Sequence, residues 1–169
     1  MRIPPAREVR ERAEELWGLH AEVFDETAPF AVWRDEQLLR HASRDRFRLA
    51  AAFDGDRVIG FAYGYYGASG QYYTDSVRDA LGPDEAKAWL DGQFEFVEFA
   101  VRAAHRRGGI GRALYDAVMA GVDGPALLST STDPDDPAVR FYTRRGWRRI
   151  GAHPRADGSR EMQIMGRRP

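Results

Sequence analysis

The sequence predicts a mixed α/β protein, and three observations support this fold class. Segments rich in β-branched and aromatic residues alternate with segments whose apolar residues recur at helical spacing. Glycine, proline and aspartate residues mark turns between them, so that strands lie on either side of single helices. The 169 residues are 43% hydrophobic and 12% aromatic, which supplies enough apolar surface for one core. We therefore expect residues 1–169 to form a single domain.

The N-terminal part of the chain is predicted to form two helices and a β-hairpin. Apolar residues recur at helical spacing over 9–24, and a second helix is expected to begin near Asp35. The stretches 47–53 and 58–66 have the composition of strands. Because the Asp-Gly-Asp sequence between them is typical of a tight turn, we expect these strands to pair in an antiparallel hairpin.

The remainder of the chain is predicted to continue the alternation of helices and strands. Residues 94–101 are mostly apolar, as in a strand that is buried in the centre of a sheet. The apolar stripe over 109–122 indicates a helix soon after that strand. The other predicted elements are helices over 75–81, 84–91 and 137–145, and strands over 126–131, 147–151 and 161–165.

The composition excludes several classes of function. The net charge is −1, so the basic excess of a general nucleic-acid-binding protein is missing. The chain has no cysteine and its four histidines are scattered, so we expect no disulfide, no cysteine nucleophile and no metal site. It has no apolar run of about 18 residues, and its N-terminus is charged rather than apolar. We therefore expect a cytoplasmic protein with no nucleic-acid partner and no membrane contact.

A segment rich in glycine and arginine separates the predicted 94–101 strand from the following helix. Helix N-termini expose unpaired N–H groups with a partial positive charge, glycine lets a ligand approach the backbone, and arginine adds full charge. The segment therefore suits a phosphate or pyrophosphate group, and a tight turn with surface arginines is the alternative. It lacks the spacing of a dinucleotide-binding fingerprint and the Gly-Lys-Ser/Thr of a P-loop. Its residues are Arg106, Arg107, Gly108, Gly109, Ile110, Gly111 and Arg112.

The predicted helix over 137–145 is the second distinctive segment. It begins with proline, is preceded by acidic residues and is followed by Gly146, which are the expected features of helix ends. Asp135 is a candidate N-terminal cap for this helix. Taken alone, Tyr142 within the helix would be assigned to the edge of the core.

The two segments have a defined pattern when taken together. The first reads R-x-x-G-x-G over 106–111, and the second reads A-x-x-F-Y-x-x-x-G-W over 138–147. This pair resembles the motifs of the GNAT superfamily of acetyl-CoA-dependent N-acetyltransferases. The resemblance implies a GNAT-like fold, with a central, mostly antiparallel twisted sheet, helices on both faces and strands that splay apart between 94–101 and 126–131.

The resemblance also implies where the co-substrate acetyl-CoA would bind. Backbone groups of Phe99 and Val101, with Ala100 between them, would lie along the pantetheine arm. The segment from Arg106 to Arg112 would bind the pyrophosphate. Tyr142, at the family's usual tyrosine position, would protonate the departing thiolate of coenzyme A, and no metal ion is implied.

Acetyl transfer to an amine also needs a group that removes a proton from the amine. Glu95 and Glu98 on the predicted central strand are the candidates, because both are flanked by apolar residues. They are three positions apart, so a regular strand directs them to opposite faces. We favour Glu98, and a structural role for either carboxylate is the alternative.

The acceptor and the partners are only partly specified by the sequence. We expect the acceptor to be an amine of a small molecule or a peptide. The sequence leaves open whether the chain forms a homodimer. A non-catalytic module that senses acyl-CoA is the alternative to an enzyme, and an RNA contact through paired arginines is a third reading. An aromatic-rich stretch either belongs to the core or forms a wall of the acceptor site; its members are Tyr63, Tyr65, Tyr66, Tyr72, Tyr73 and Trp89.

Overall fold

The computed structural model of the chain describes residues 11–25, 27–153 and 162–169. These residues group into two compact units. The first unit draws on positions 1–65 and 97–121, and the second on positions 66–96 and 122–169. The single domain expected from the sequence stays a prediction.

Helices and strands alternate along the described residues. The strands are β1 (Arg48–Asp54), β2 (Arg57–Tyr66), β3 (Phe94–Val101), β4 (Ala126–Ser131), β5 (Arg148–His153) and β6 (Met162–Arg167). The α-helices are α1 (Ala13–Phe24), α2 (Phe30–Trp33), α3 (Arg40–Ala42), α4 (Tyr72–Leu81), α5 (Pro83–Trp89), α6 (Ile110–Met119) and α7 (Pro137–Thr143). A π-helical segment, Arg34–Leu39, joins α2 to α3, and a 3₁₀ turn, Ala103–His105, follows β3.

The first unit is built around the predicted hairpin. β1 and β2 pair in antiparallel register, and Gly55 in their turn has a φ of 57°. This left-handed conformation suits glycine because it has no Cβ. Leu16 and Leu19, three positions apart on α1, are buried in a core that includes Phe61 of β2. Burying large apolar side chains of this kind contributes roughly 1.5–3 kcal/mol each.

The second unit contains two antiparallel strand pairs among the described residues. β4 pairs with β6, and β5 pairs with β6, so that β6 lies between its two partners. Four buried residues from its helices and strands pack together in its core: Val77, Trp89, Leu127 and Ile164. The position of Trp89 also explains why β6 has a glycine at position 166, because a Cβ at Gly166 would lie 2.7 Å from the indole ring.

The hydrogen-bonded strand order is β1-β2-β3-β4-β6-β5. β3 supplies residues to both units, since the unit boundary falls between Phe96 and Val97. Its pairing with β4 is parallel and joins Phe94 to Ala126 and Glu95 to Leu127. The predicted mixed α/β class with a mostly antiparallel sheet is therefore confirmed.

Several element boundaries differ from the predicted ones. The second helical run begins at Phe30 rather than near Asp35, because Pro29 precedes it in an extended conformation and starts the helix. α6 ends at Met119 rather than continuing to 122, just before Gly121 with a φ of 71°. Val9 and Glu161, at the edges of two predicted elements, lie outside the described residues. Within the described ranges, no helix is both long and apolar enough to cross a membrane.

Candidate active site

The loop between β3 and α6 has the backbone geometry expected of an anion-binding site. α6 begins at Ile110, and Gly109 at its N-terminal cap has a φ of 84°. The amide of Ala113 donates to the carbonyl of Gly109 at 3.0 Å, which is the first hydrogen bond of the helix. The amides of the first turn come before this bond and have no partner within the helix. Arg107 also has a positive φ, 65°, which is uncommon for a residue with a side chain.

The arginines of the loop have different roles. Arg106 donates from Nε to the carbonyl of Val101 at 2.9 Å, which ties the loop to the end of β3. Arg112 lies 3.5 Å from Asp116 one turn later on α6, as an exposed pair.

Close packing explains the last glycine of the motif. A Cβ at Gly111 would lie 3.1 Å from Cζ of Phe99 on β3, which is tighter than almost all real contacts. The loop backbone therefore approaches β3 closely. Phe99 and Val101 are half-buried, whereas Ala100 between them is buried in the core of the first unit.

Glu98 of β3 is held in the first unit by side chains from two helical segments. Gln37 of the π-helical segment donates from Nε2 to Oε1 of Glu98 at 2.5 Å. Nδ1 of His20 on α1 lies 3.4 Å from Oε2, but it makes no hydrogen bond within the described part of the chain. The Glu98 side chain keeps 11% of its surface exposed. It is therefore constrained in position without being fully enclosed.

Tyr63 and His41 extend this group of polar side chains. Nδ1 of His41 lies 3.1 Å from the Tyr63 hydroxyl, and the side chain of Gln37 lies near that hydroxyl. Burial, followed by the nearby charge of Glu98, raises the pKa of Tyr63 well above its usual value. Burial, followed by the charges of Arg44 and Arg40, lowers the pKa of His41 to about 4. We call His20, Gln37, His41, Tyr63 and Glu98 the Glu98 cluster.

Glu95, the other candidate base, lies in the second unit and is only 1% exposed. Its Oε1 accepts a hydrogen bond from Thr74 at 2.6 Å and a longer one from Gln93 at 3.5 Å. A Cβ at Gly67 would lie 2.1 Å from the same oxygen. The space around the Glu95 carboxylate is thus filled by protein atoms, as expected for a structural carboxylate.

Tyr142 lies on α7 among aromatic residues of the second unit. Its ring meets Phe96 at a centroid distance of 6.1 Å and Trp147 at 5.9 Å, both edge to face. The helix that carries Tyr142 is capped by Asp136, whose side chain accepts from the amide of Ala138 at 2.7 Å. Asp135, the predicted cap, instead pairs with Arg140 at 2.6 Å.

The aromatic-rich stretch of the sequence belongs largely to the cores. Tyr63, Tyr65, Tyr66 and Trp89 are buried, whereas Tyr72 is exposed. The phenol of Tyr73 accepts a hydrogen bond from Ser129 at 3.1 Å, and burial raises the pKa of Tyr73 above its usual value.

Sequence reasoning missed most of the Glu98 cluster. Gln37 and Glu98 are 61 positions apart, and a lone glutamine on a helix carries no catalytic signal. His20 is one of the buried residues of α1. Its position on the apolar face of that helix was the sequence signal that could have identified it. In the part of the chain that the structure describes, no group of three or more His, Asp or Glu side chains could hold a metal ion.

Comparisons with known proteins agree with the fold and the motifs. Residues 9–147 match the profile of the acetyltransferase (GNAT) family. The chain is 32% identical over 128 residues to a GCN5-like protein acetyltransferase of Mycobacterium tuberculosis, a match that covers 70% of the chain and 62% of that relative. The chain thus spans less than two thirds of the relative's length.

Solved structures with the same fold have lower sequence identity. The aminoglycoside 6'-N-acetyltransferase of Enterococcus faecium superposes with a TM-score of 0.64 at 17% identity, covering 99% of this chain and 96% of its own. The PaiA N-acetyltransferase of Thermoplasma acidophilum, solved in complex with coenzyme A, gives a TM-score of 0.58 at 13% identity, covering 95% and 94%. At these identities the likeness shows the fold alone.

Proposed function

Because the chain belongs to the acetyltransferase (GNAT) family, whose members use acetyl-CoA, we propose that it transfers the acetyl group of acetyl-CoA to an amine by direct attack in a ternary complex. The observation that carries this proposal is the loop from Arg106 to Arg112. It combines left-handed backbone at Arg107 and Gly109 with the start of α6 and with arginine charge. These are the features that bind a pyrophosphate.

Acetyl-CoA is proposed to bind along β3 and this loop. The amides from Arg107 to Arg112 meet the pyrophosphate, and the side chain of Arg106 braces the loop against β3 through Val101. Backbone groups of Phe99 and Val101 hydrogen-bond the pantetheine arm, with Ala100 as the core residue between them. Gly111 supports this arrangement because its lack of a Cβ lets the loop pack on Phe99.

The proposed reaction has three steps that conserve atoms and charge. Glu98 accepts a proton from the acceptor's ammonium group, which leaves a neutral amine. The amine nitrogen attacks the thioester carbonyl carbon, and the carbon–sulfur bond breaks as the nitrogen–carbon bond forms. Tyr142 gives its phenolic proton to the thiolate sulfur and regains a proton from the amide nitrogen through solvent. Glu98 then releases its proton to solvent, so the net products are the N-acetyl amine, coenzyme A and one proton.

The acceptor is proposed to be an amine of a small molecule or a peptide. The relatives have names that include both a protein acetyltransferase and an aminoglycoside acetyltransferase. In this chain, the support is the carboxylate of Glu98, whose partners among the described residues are the neutral Gln37 amide and His20. A carboxylate without an arginine or lysine partner attracts an ammonium group.

The test is acetyl-CoA-dependent release of coenzyme A thiol over a panel of amines. We expect turnover with at least one amine, and Glu98→Gln is expected to lower kcat/KM and to remove the acidic limb of its pH profile. Glu95→Gln is the matched control on the same strand and is expected to keep that limb. Binding of acetyl-CoA without turnover on any amine would favour the alternative of a non-catalytic acyl-CoA-sensing module.

A further inference from the structure

The π-helical segment Arg34–Leu39 has an unusual geometry for its position in the first unit. Each of its turns contains more residues than an α-helical turn. Such segments are rare in proteins, and those that occur are often found at functional sites. It runs directly between α2 and α3. Gln37 lies within it, and the side chain of Gln37 makes the 2.5 Å hydrogen bond to Glu98.

Gln37 bonds to the carboxylate of the cluster and lies beside Tyr63. Its Nε2 donates to Oε1 of Glu98, and its side chain is near enough to Tyr63 to influence the pKa of that phenol. Tyr63 is in turn within hydrogen-bond distance of Nδ1 of His41. Burial disfavours the charged forms of Tyr63 and His41, so both are neutral polar neighbours in the cluster.

We propose that Gln37 is a positioning residue for the proposed acetyl transfer, which holds the carboxylate of Glu98 in the orientation in which it can accept the amine's proton. The proposal rests on the proposed function, in which Glu98 is the base. A hydrogen bond donated to a carboxylate favours its charged form. The amide occupies one lone pair of Oε1, whereas Oε2, the oxygen nearer His20, accepts no hydrogen bond from the described residues.

The groups that face Glu98 determine how its ionisation responds to substitution. His20 faces it from α1, Gln37 from the π-helical segment and Tyr63 from β2, while His41 contacts Tyr63 from α3. Among these groups, Gln37 is the neutral donor that bonds directly to the carboxylate. Removing it therefore takes away a direct hydrogen bond to the carboxylate and leaves the other groups in place.

The first experiment is the pH dependence of kcat/KM for Gln37→Met, which keeps the side-chain length and removes the donor. We expect the acidic limb to move to higher pH by about one pH unit, because the carboxylate loses a donated hydrogen bond. On the plateau above that limb, kcat/KM is expected to stay below the parent value, because the carboxylate is no longer held in its orientation. A limb that does not move, or a plateau equal to that of the parent, would overturn the proposal.

Two further variants keep the test decisive. Gln37→Glu preserves the shape of the side chain and places a second carboxyl group beside Glu98, so we expect a larger shift of the limb in the same direction. Gln93→Met is the matched control, because Gln93 is a buried glutamine that contacts the other carboxylate, Glu95. It is expected to leave the limb unchanged. A shift of the same size in the control would contradict a specific role for Gln37.

A readout without turnover separates this proposal from the proposed function. In ¹⁵N NMR spectra, the side-chain amide of Gln37 is expected to shift with pH in the parent and to stop shifting in Glu98→Gln. If the amide follows Glu98 but no amine is acetylated, the positioning holds and the proposed function fails. If amines are acetylated but the amide does not respond to Glu98, the positioning is wrong and the proposed function stands.

Discussion

At the scale of single residues, two carboxylates on one strand have different environments. Glu95 and Glu98 are both flanked by apolar residues in the sequence, and three positions separate them. Glu95 is enclosed by Thr74 and Gln93, whereas Glu98 keeps part of its surface exposed beside Gln37. The sequence pattern identified both as candidates, and two of the side chains that distinguish them, Thr74 and Gln37, come from distant segments of the chain.

A prediction at the scale of single residues concerns the role of the Tyr142 hydroxyl. Tyr142→Phe keeps the ring that packs on Phe96 and Trp147 and removes the hydroxyl that is proposed to protonate the thiolate. We expect kcat to fall by roughly 10²-fold, the typical contribution of a general acid, with little change in affinity for acetyl-CoA. Steady-state kinetics and calorimetry measure the two quantities. A kcat within twofold of the parent would make Tyr142 a structural residue.

At the scale of elements, strands with a strong apolar pattern were predicted best. The bounds of β3 and β4 agree with the predicted ones, because turn residues flank both runs. The π-helical segment was not predicted, since its residues have ordinary helical composition. Its geometry depends on tertiary contacts such as the bond from Gln37 to Glu98, which local periodicity does not encode.

The prediction at the scale of elements concerns binding of acetyl-CoA by the loop before α6. Gly109→Asp adds a negative charge where the pyrophosphate is proposed to bind, so affinity for acetyl-CoA is expected to fall at least ~10-fold, or ~1.4 kcal/mol. Gly121→Asp is the matched control, because both glycines have positive φ and open space where a Cβ would lie. Calorimetry on the two folded variants compares them. Equal affinity in both would exclude the loop as the pyrophosphate site.

At the scale of the whole molecule, the two motifs were enough to predict the family and the fold class. The division into two compact units was not predicted, because it depends on contacts between distant segments. The motifs encode the loop and α7 locally, whereas the Glu98 cluster combines residues from α1, the π-helical segment, α3, β2 and β3. Sequence analysis could therefore locate the loop and α7 from local pattern, whereas it could not bring the members of the Glu98 cluster together.

His41 supplies a prediction about global stability. Its pKa is lowered to about 4 from the ordinary value of 6.5, so the unfolded chain binds a proton on this side chain at higher pH than the folded chain. The stabilisation is present above pH 6.5 and is lost as the pH falls towards 4, with a magnitude up to about 3 kcal/mol. Urea unfolding at several pH values measures it. His41→Gln is expected to flatten this dependence, and an unchanged slope would contradict the assignment.

The central claim is direct transfer of an acetyl group from acetyl-CoA to an amine, and a single-turnover reaction tests it most directly. The protein is mixed with ¹³C-acetyl-CoA and an accepted amine, and mass spectrometry follows the amine and the protein. We expect the labelled N-acetyl amine to appear with coenzyme A in equal amounts, without an acetylated protein preceding it. Labelled protein that forms first and then decays into product, or coenzyme A release without an acetylated amine, would contradict the account.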